Sequence, residues 1–308
     1  MLSVVLLNWN RKEEIIKTLF DLSLQTYKDF EIVLIDQGSQ DGSIEVIQEQ
    51  FPWIRQIKLF KNLGVPGGRN MGALNARGDI LVFLDNDASL ECNALERIAQ
   101  RFSKESNLGI IGFKILNANT GVLDLSSWVY EKNRLKDANN EFYSYTFCGC
   151  GNAIRKNVLE DAGYYWEDLF FGWEEMDLSI KVLAAGFKIV YDPSIVVKHR
   201  ISNERRTSNS KHECLRLINS LWVLWRYMPI GYALGESIKR IVVYGIKGIK
   251  HRCFGLMIVY LILSFKKFNL LFRRKDKIPE DIFREYKALI DRGPISQQIK
   301  DLFFSKYV

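Results

Sequence analysis

The 308 residues carry 47% hydrophobic and 13% aromatic side chains, enough to bury the core of two domains, or of one large domain with an appendage. Five cysteines (Cys92, Cys148, Cys150, Cys214, Cys253) without a C-x-x-C pair, beside three histidines, make no recognisable zinc pattern; the first residues lead straight into a strand pattern, so a reducing, cytoplasmic setting is expected. The net charge of +7 is unevenly divided: residues 214–277 hold 13 Lys/Arg against 2 Asp/Glu, and the rest 30 against 34, so an acidic body argues against a nucleic-acid binder and only the basic segment would meet an anionic surface.

In chain order, residues 3–7 are a short apolar strand ended by Asn8-Trp9-Asn10. Residues 11–24 place Ile15, Ile16, Leu19, Phe20 and Leu22 at the period of an amphipathic helix. Residues 30–35 form a second strand closed by Asp36, then a turn at 37–43 and a helix over 44–51 with Ser43 as its expected N-cap. Residues 57–60 read as a third strand, and 62–70 as a glycine-rich loop before a helix through Ala76. Residues 80–84 are five apolar residues in a row, a strand buried on both faces, running into Asp85-Asn86-Asp87.

This alternation predicts a mostly parallel sheet with helices on both faces. Ligands of such sheets sit at the carboxyl ends of the strands, and Asn8/Asn10, Asp36 and Asp85/Asp87 all fall there. Two carboxylates one residue apart are costly to bury unpaired, so they call for a cation, a hydroxyl-rich ligand or solvent; taken alone, the D-x-D also reads as a solvated turn. The loop carrying Gly64, Arg69 and Asn70 lets backbone approach a ligand, and Arg69 can meet a phosphate. The first strand lacks a G-x-G-x-x-G after it, which argues against a dinucleotide oxidoreductase, and lacks a G-x-G-T-R-like loop, which argues against a sugar nucleotidyltransferase.

Four segments in order, residues 4–10, Ile35-Asp36-Gln37-Gly38-Ser39-Gln40-Asp41-Gly42-Ser43, residues 62–72 and Phe83-Leu84-Asp85-Asn86-Asp87, resemble the family-two glycosyltransferases of the GT-A fold, the rhamnosyltransferase-like members above all. The resemblance implies that Asp36 contacts a nucleobase, Asp85 the ribose side of a nucleotide, and Asp87 a metal on its diphosphate. Asn8, Asn10, Gly64, Arg69, Asn70 and Asn86 complete the expected donor-nucleotide site. It extends to Trp173-Glu174-Glu175, where the family carries its catalytic base; Glu175 is the expected base, with glutamate standing where aspartate is usual, and Glu174 and Asp177 are neighbouring acids that could share or take the role. His199 matches a family metal ligand, so Asp85, Asp87 and His199 are the expected ligands of Mg²⁺ or Mn²⁺.

The remaining stretches say less. Residues 110–113 read as a strand and 117–121 as a turn. Trp128 and Tyr130 line an acceptor or simply pack. Cys148-Gly149-Cys150-Gly151 reads as a turn flanked by small packing residues. The acids after Trp173 open a helix, where the dipole favours them whatever their role. Residues 189–192 and 195–197 read as two closing strands, and 201–212 as a basic loop able to close over a ligand.

The expected division is a catalytic domain over 1–212 and a basic amphipathic helical region over 213–308. In the latter, Leu217, Leu221, Trp222 and Trp225 interleave with Arg216 and Arg226, and the longest uncharged run, 253–265, is too short for a span of roughly 20 residues. That pattern matches a helix lying in an anionic membrane interface, or a packing arm with a solvated basic face. The expected function is metal-dependent, inverting transfer of a sugar from a nucleoside-diphosphate donor to a hydroxyl of a glycan or lipid-linked acceptor, with the protein peripheral on the cytoplasmic face. A nucleotide-sugar-binding module without turnover is the rival reading.

Overall fold

The computed structural model describes residues 1–130, 134–200, 210–250, 253–273 and 278–292. Its first half is the expected alternation: β1 (Leu2–Asn8), α1 (Lys12–Ser23), β2 (Phe30–Asp36), α2 (Ser43–Gln50), β3 (Arg55–Lys58), α3 (Gly64–Asn75) and β4 (Ile80–Leu84). These strands pair in parallel in the order β3-β2-β1-β4. The register sets Asn8 level with Asp36, and Leu6 level with Leu84. The polar residues that end three strands therefore share one edge.

The second half is β5 (Ala88–Leu90), α4 (Ala94–Lys104), β6 (Leu108–Asn117), a 3-10 turn at Leu125–Ser127, α5 (Arg134–Asp137), β7 (Phe142–Ser144), β8 (Gly151–Arg155), α6 (Lys156–Asp161), a 3-10 turn at Glu167–Leu169, α7 (Glu174–Ala184) and β9 (Lys188–His199). It extends the sheet to nine strands. β8 inserts antiparallel between β4 and β6, β9 runs parallel to β6, and β5 lies antiparallel to β9 with Ala88 opposite His199. That last pairing carries His199 back to the D-x-D, 112 residues away in sequence if counted from Asp87.

Both faces are covered. Ile15, Leu19, Ile47, Leu95 and Ile98 of α1, α2 and α4 pack on one face; Ala73, Val158, Leu159, Leu178 and Val182 of α3, α6 and α7 pack on the other. All five residues of β4 are buried, each contributing about 1.5–3 kcal/mol relative to exposure. This is why the strand is rigid enough to aim the acids at its end.

Several local expectations are corrected. The glycine-rich loop at 62–70 is mostly helix: α3 begins at Gly64. Its glycines let the helix press on the sheet, for a Cβ at Gly72 would collide with Val5 Cγ1. Ser43 is the first helical residue of α2, not its cap; Gly42 precedes it in left-handed backbone (φ 77°). Asp41 accepts the Ser43 N–H, and the Ser43 hydroxyl is used by Asn8. The third strand lies at Arg55–Lys58, two residues early. Gly151 and Asn152 open β8 and are not in a turn. The two closing strands are one, β9, with a register break beside Pro193, which lacks an N–H for the ladder. Of the basic loop, residues 201–209 lie outside those described.

Four helices complete the described chain: α8 (Ser210–Tyr227), α9 (Ile230–Lys250), α10 (Phe254–Arg273) and α11 (Glu280–Arg292). The expectation for α8 is corrected too. Leu217, Leu221 and Trp222 are buried, and the Trp225 indole donates to Ser237 Oγ at 3.0 Å, so the tryptophans are packed on protein. α11 ends just before Gly293-Pro294, and residues 293–308 lie outside those described.

Candidate active site

Asn8 organises the sheet edge. Its amide donates to Asp36 Oδ2 (3.1 Å) and Ser43 Oγ (2.9 Å), while its Oδ1 accepts from Asn86 at 3.3 Å. Asp36 is fully buried, and its other oxygen accepts the N–H groups of Gly38 and Ser39 at 3.1 and 2.8 Å. It shapes the turn after β2 from beneath. Asn10, in left-handed backbone (φ 52°), holds the same turn by accepting the Gln40 N–H at 2.7 Å.

The D-x-D stands beside it. Burial, reinforced by the charge of Asp87 and only partly countered by Arg69, pushes Asp85 up to about 6. Burial also disfavours a charged Asp87, but its contacts with His199 and Arg11 outweigh that and hold it below the usual carboxylate range. Arg11 Nη1 lies 2.5 Å from Asp87 Oδ2, and His199 Nε2 lies 3.5 Å from Asp87 Oδ1. The other imidazole nitrogen, Nδ1, sits 2.8 Å from Asp124 Oδ2. Asp124 is itself fixed by the Ser126 N–H (3.0 Å) and the Ser127 hydroxyl (2.8 Å). Burial opposes its charge, yet the hydrogen bonds of Ser126, His199 and Ser127 bring it down to about 2. Burial likewise opposes an imidazolium at His199, and Asp87 and Asp124 overcome it, raising the histidine. Arg200 anchors the strand end: its N–H donates to the Asp87 carbonyl at 2.8 Å, its Nε to Glu14 Oε2 at 2.8 Å, and its guanidinium reaches Thr18 and Ser89.

The acids of α7 enter from the opposite side. Arg69, buried in α3, donates from Nη1 to Glu175 Oε1 at 2.8 Å and from Nη2 to the Gly149 carbonyl at 2.9 Å. Its guanidinium lies 5.4 Å from the centre of the Tyr165 ring. A Cβ at Gly149 would collide with Glu175 Oε1, so a side chain there would displace the carboxylate. One residue on, the Cys150 carbonyl accepts the Asp85 N–H at 3.1 Å. Glu175 is therefore held, through Arg69 and this bend, beside the end of β4. Glu174 is buried, and among the described residues its Oε2 has no partner. Burial, then the charge of Glu175, pushes its carboxyl up to about 8. Cys148 and Cys150 are core residues, and burial drives the Cys148 thiol up to about 12.

Three expected site residues face elsewhere. Asn70 is spent on the Tyr165 backbone and Glu167 Oε1. Gly64 (φ 76°) is pressed against Phe170, whose carbonyl accepts the Val65 N–H at 2.8 Å. Asp177, fully buried, accepts the Tyr227 hydroxyl at 2.6 Å and pairs with Lys181 at 2.8 Å; it fastens α8 to α7. Trp128 and Tyr130 pack with Phe142 and Tyr191, their own rings 5.1 Å apart. A cavity of about 650 Å³ lined by Lys17, Asp21, Cys92 and Lys198 meets this network at Ser89 and Arg200.

The residues present fit a divalent ion in a limited way. Asp87 and His199 face one another, with the second imidazole nitrogen already committed to a carboxylate, as metal-binding histidines usually are. Among the described residues no group of three such side chains forms a metal site. Two protein ligands with the rest from phosphate and water is ordinary for Mg²⁺-type sites.

The fold is the GT-A fold. The profile of Glycosyl transferase family 2 matches residues 3–163, and the chain belongs to that family. Over 111 residues it is 36% identical to a cholesterol galactosyltransferase of Borreliella burgdorferi, a match covering 35% of this chain and 31% of that protein. Over 236 residues it is 24% identical to N-acetylgalactosaminyltransferase 6 of Drosophila melanogaster, covering 68% of this chain and 35% of that one. These matches span about a third of each relative's length. Among solved structures, GalNAc-T7 with UDP, GalNAc and Mn²⁺ is similar at a TM-score of 0.62 and 18% identity, covering 87% of this chain and 57% of that one. Residues 1–349 of S. aureus TarS are similar at 0.58 and 17%, covering 99% and 92%. The Pyrobaculum calidifontis mannosyltransferase with GDP-Man and Mn²⁺ is similar at 0.56 and 14%, covering 98% and 87%. At these identities the structures establish the shared fold.

Sequence reasoning missed Arg11 and Asp124. Asp124-Leu125-Ser126-Ser127 carries a capping signal, but nothing local ties it to a histidine 75 residues on.

Proposed function

We propose that this chain is a metal-dependent, inverting glycosyltransferase that moves a hexosyl or deoxyhexosyl group from a nucleoside-diphosphate sugar to a hydroxyl of a glycan or lipid-linked acceptor. The catalytic unit is residues 1–212, and the helical region 213–308 keeps the enzyme peripheral on an anionic membrane at its cytoplasmic face. The observation that carries the reading is the meeting of Glu175 with the D-x-D edge, through Arg69, Gly149 and Cys150.

In this reading Asp85 receives the ribose side of the nucleotide. Asp36, Asn8, Asn10 and Asn86 shape the turn that receives the base. Asp87 and His199, oriented by Asp124, hold Mg²⁺ or Mn²⁺, which supplies positive charge where negative charge develops on the departing diphosphate. Glu175 takes the acceptor proton as that oxygen bonds to the anomeric carbon and the bond to the diphosphate breaks on the opposite face. Arg69 fixes the direction of the Glu175 carboxylate, and Glu174, kept neutral by burial, adds no second charge beside it.

The test is calorimetric binding of UDP, dTDP and GDP with and without Mn²⁺, to wild type and Asp87→Ala. One nucleotide should bind in a Mn²⁺-dependent manner, and the variant should lose that dependence. Absence of binding for all three would remove the reading and leave the D-x-D a solvated turn.

A further inference from the structure

α9 is built inside out. Its buried side carries Glu236, Ser237 and Arg240 beside Ala233, Val243 and Tyr244. Arg240 Nη1 donates to Glu236 Oε2 at 2.6 Å, and the guanidinium lies 5.2 Å from the centre of the Trp173 ring. Burying an ion pair typically gains little over an apolar pair of similar volume. The outward side, by contrast, exposes Leu234, Ile238, Ile241, Val242, Ile246 and Ile249. Successive offsets of four, three, one, four and three residues keep them on one broad stripe of the helix.

α10 continues the surface. Phe254, Ile258, Val259, Ile262 and Leu263 are exposed, and residues 253–265 contain no charge. The two helices touch tightly where they meet: a Cβ at Gly248 would lie 2.6 Å from the Met257 sulfur and 3.2 Å from the Phe254 backbone. α8 lies behind them with its apolar residues already covered. The result is two exposed apolar stripes on helices that meet at Gly248 and Met257, and exposed apolar faces of this kind mark interaction sites.

The charge of this region's sequence selects the occupant. Residues 214–277 hold 13 Lys/Arg and 2 Asp/Glu, and exposed Lys239 sits at the rim of the stripe. Among the described residues no helix is long and apolar enough to cross a membrane. An apolar stripe in a helical region whose sequence is this basic, without a spanning helix among the described residues, suits the headgroup boundary of an anionic bilayer.

We propose that the paired outer faces of α9 and α10, centred on Ile238 and Ile262, form the surface that lies in an anionic lipid interface. This deepens the peripheral placement proposed above by naming the face that makes contact, and it turns the expected role away from α8 and its tryptophans.

The full chain is floated with phosphatidylcholine vesicles and with vesicles that also contain phosphatidylglycerol. Wild type should float with the anionic vesicles and remain behind with the neutral ones. Ile238→Glu combined with Ile262→Glu should weaken flotation at least about tenfold, with an unchanged melting curve because both positions are exposed; Ile238→Ser with Ile262→Ser serves as the milder pair. Wild type left unfloated by anionic vesicles, or variants floating as wild type does, would overturn the proposal. Equal flotation with neutral vesicles would overturn its anionic half. Sedimentation showing a dimer that the variants dissociate, without vesicle binding, would overturn it in favour of a second copy of the chain. Flotation needs no nucleotide, so failure of the transferase reading in calorimetry would leave this result independent.

Discussion

In the sheet, β4 buries Ile80 through Leu84 and delivers Asp85 and Asp87 to its carboxyl edge, whereas α9 buries Glu236 and Arg240 and turns Ile238 and Ile241 outward. Each arrangement is costly in plain water. Burial, with neighbouring carboxylates adding to it, pushes Asp85 up to about 6 and Glu174 to about 8 at one place, and aliphatic side chains are left wet at the other. Both make sense where the neighbour is something other than bulk solvent: the proposed cation-bearing diphosphate at the first, the proposed lipid surface at the second.

The sharpest way to break this comparison is at the base. Glu175→Gln keeps the shape and a polar contact to Arg69 but removes the proton acceptor, and transfer measured with excess donor should fall by roughly 10²–10⁴-fold while nucleotide binding is retained. Equal loss of nucleotide binding would mean that Glu175 holds the donor. A smaller effect is expected behind the proposed metal site. Asp124→Asn removes the carboxylate that orients His199, and Mn²⁺ affinity by calorimetry should weaken roughly 10–100-fold. Unchanged affinity would show that His199 needs no orienting partner.

The smallest effect compares two buried acids. Glu236 has Lys239 and Arg240 on it, while Glu174 has an oxygen with no partner among the described residues. With its carboxyl raised from 4.5 to about 8, folded Glu174 holds its proton where the unfolded chain has released it. Stability from this group is therefore fullest below pH 4.5 and declines as pH rises toward 8. Glu174→Gln should flatten the fall in melting temperature across that window; an identical slope in the variant would show that the decline comes from other groups.

Much of this was legible because it is periodic. The strand and helix repeats of residues 2–84, and acids placed directly after an unbroken apolar strand, need only local reading. The illegible part depends on distant pairing. β5 has three residues, too few for a pattern, yet it is what returns His199 to Asp87. Arg11 and Asp124 are ordinary polar residues until the fold brings them to Asp87 and His199. Asp177 stands two residues from Glu175 in a run of acids, and only the packing of Tyr227 shows that it serves the helical region. The sequence of 214–277 announces basic and apolar content together, but which side of α9 faces outward is decided by α8, and composition alone does not choose between a membrane face and a packing arm.

The amide of Asn219 in α8 lies 2.6, 2.9 and 2.8 Å from the carbonyls of Leu169, Phe171 and Gly172, in the tight segment where Phe170 and Trp173 adopt positive φ just before Glu174. Without a cap of this kind those carbonyls would turn toward water, and a non-glycine residue in left-handed backbone costs about 1–3 kcal/mol to hold. The helical region is thus no detachable handle. In recombination between relatives, α8 and the 169–175 segment would have to be inherited together, and a crossover between them would deliver a correctly folded sheet with its acids aimed at nothing.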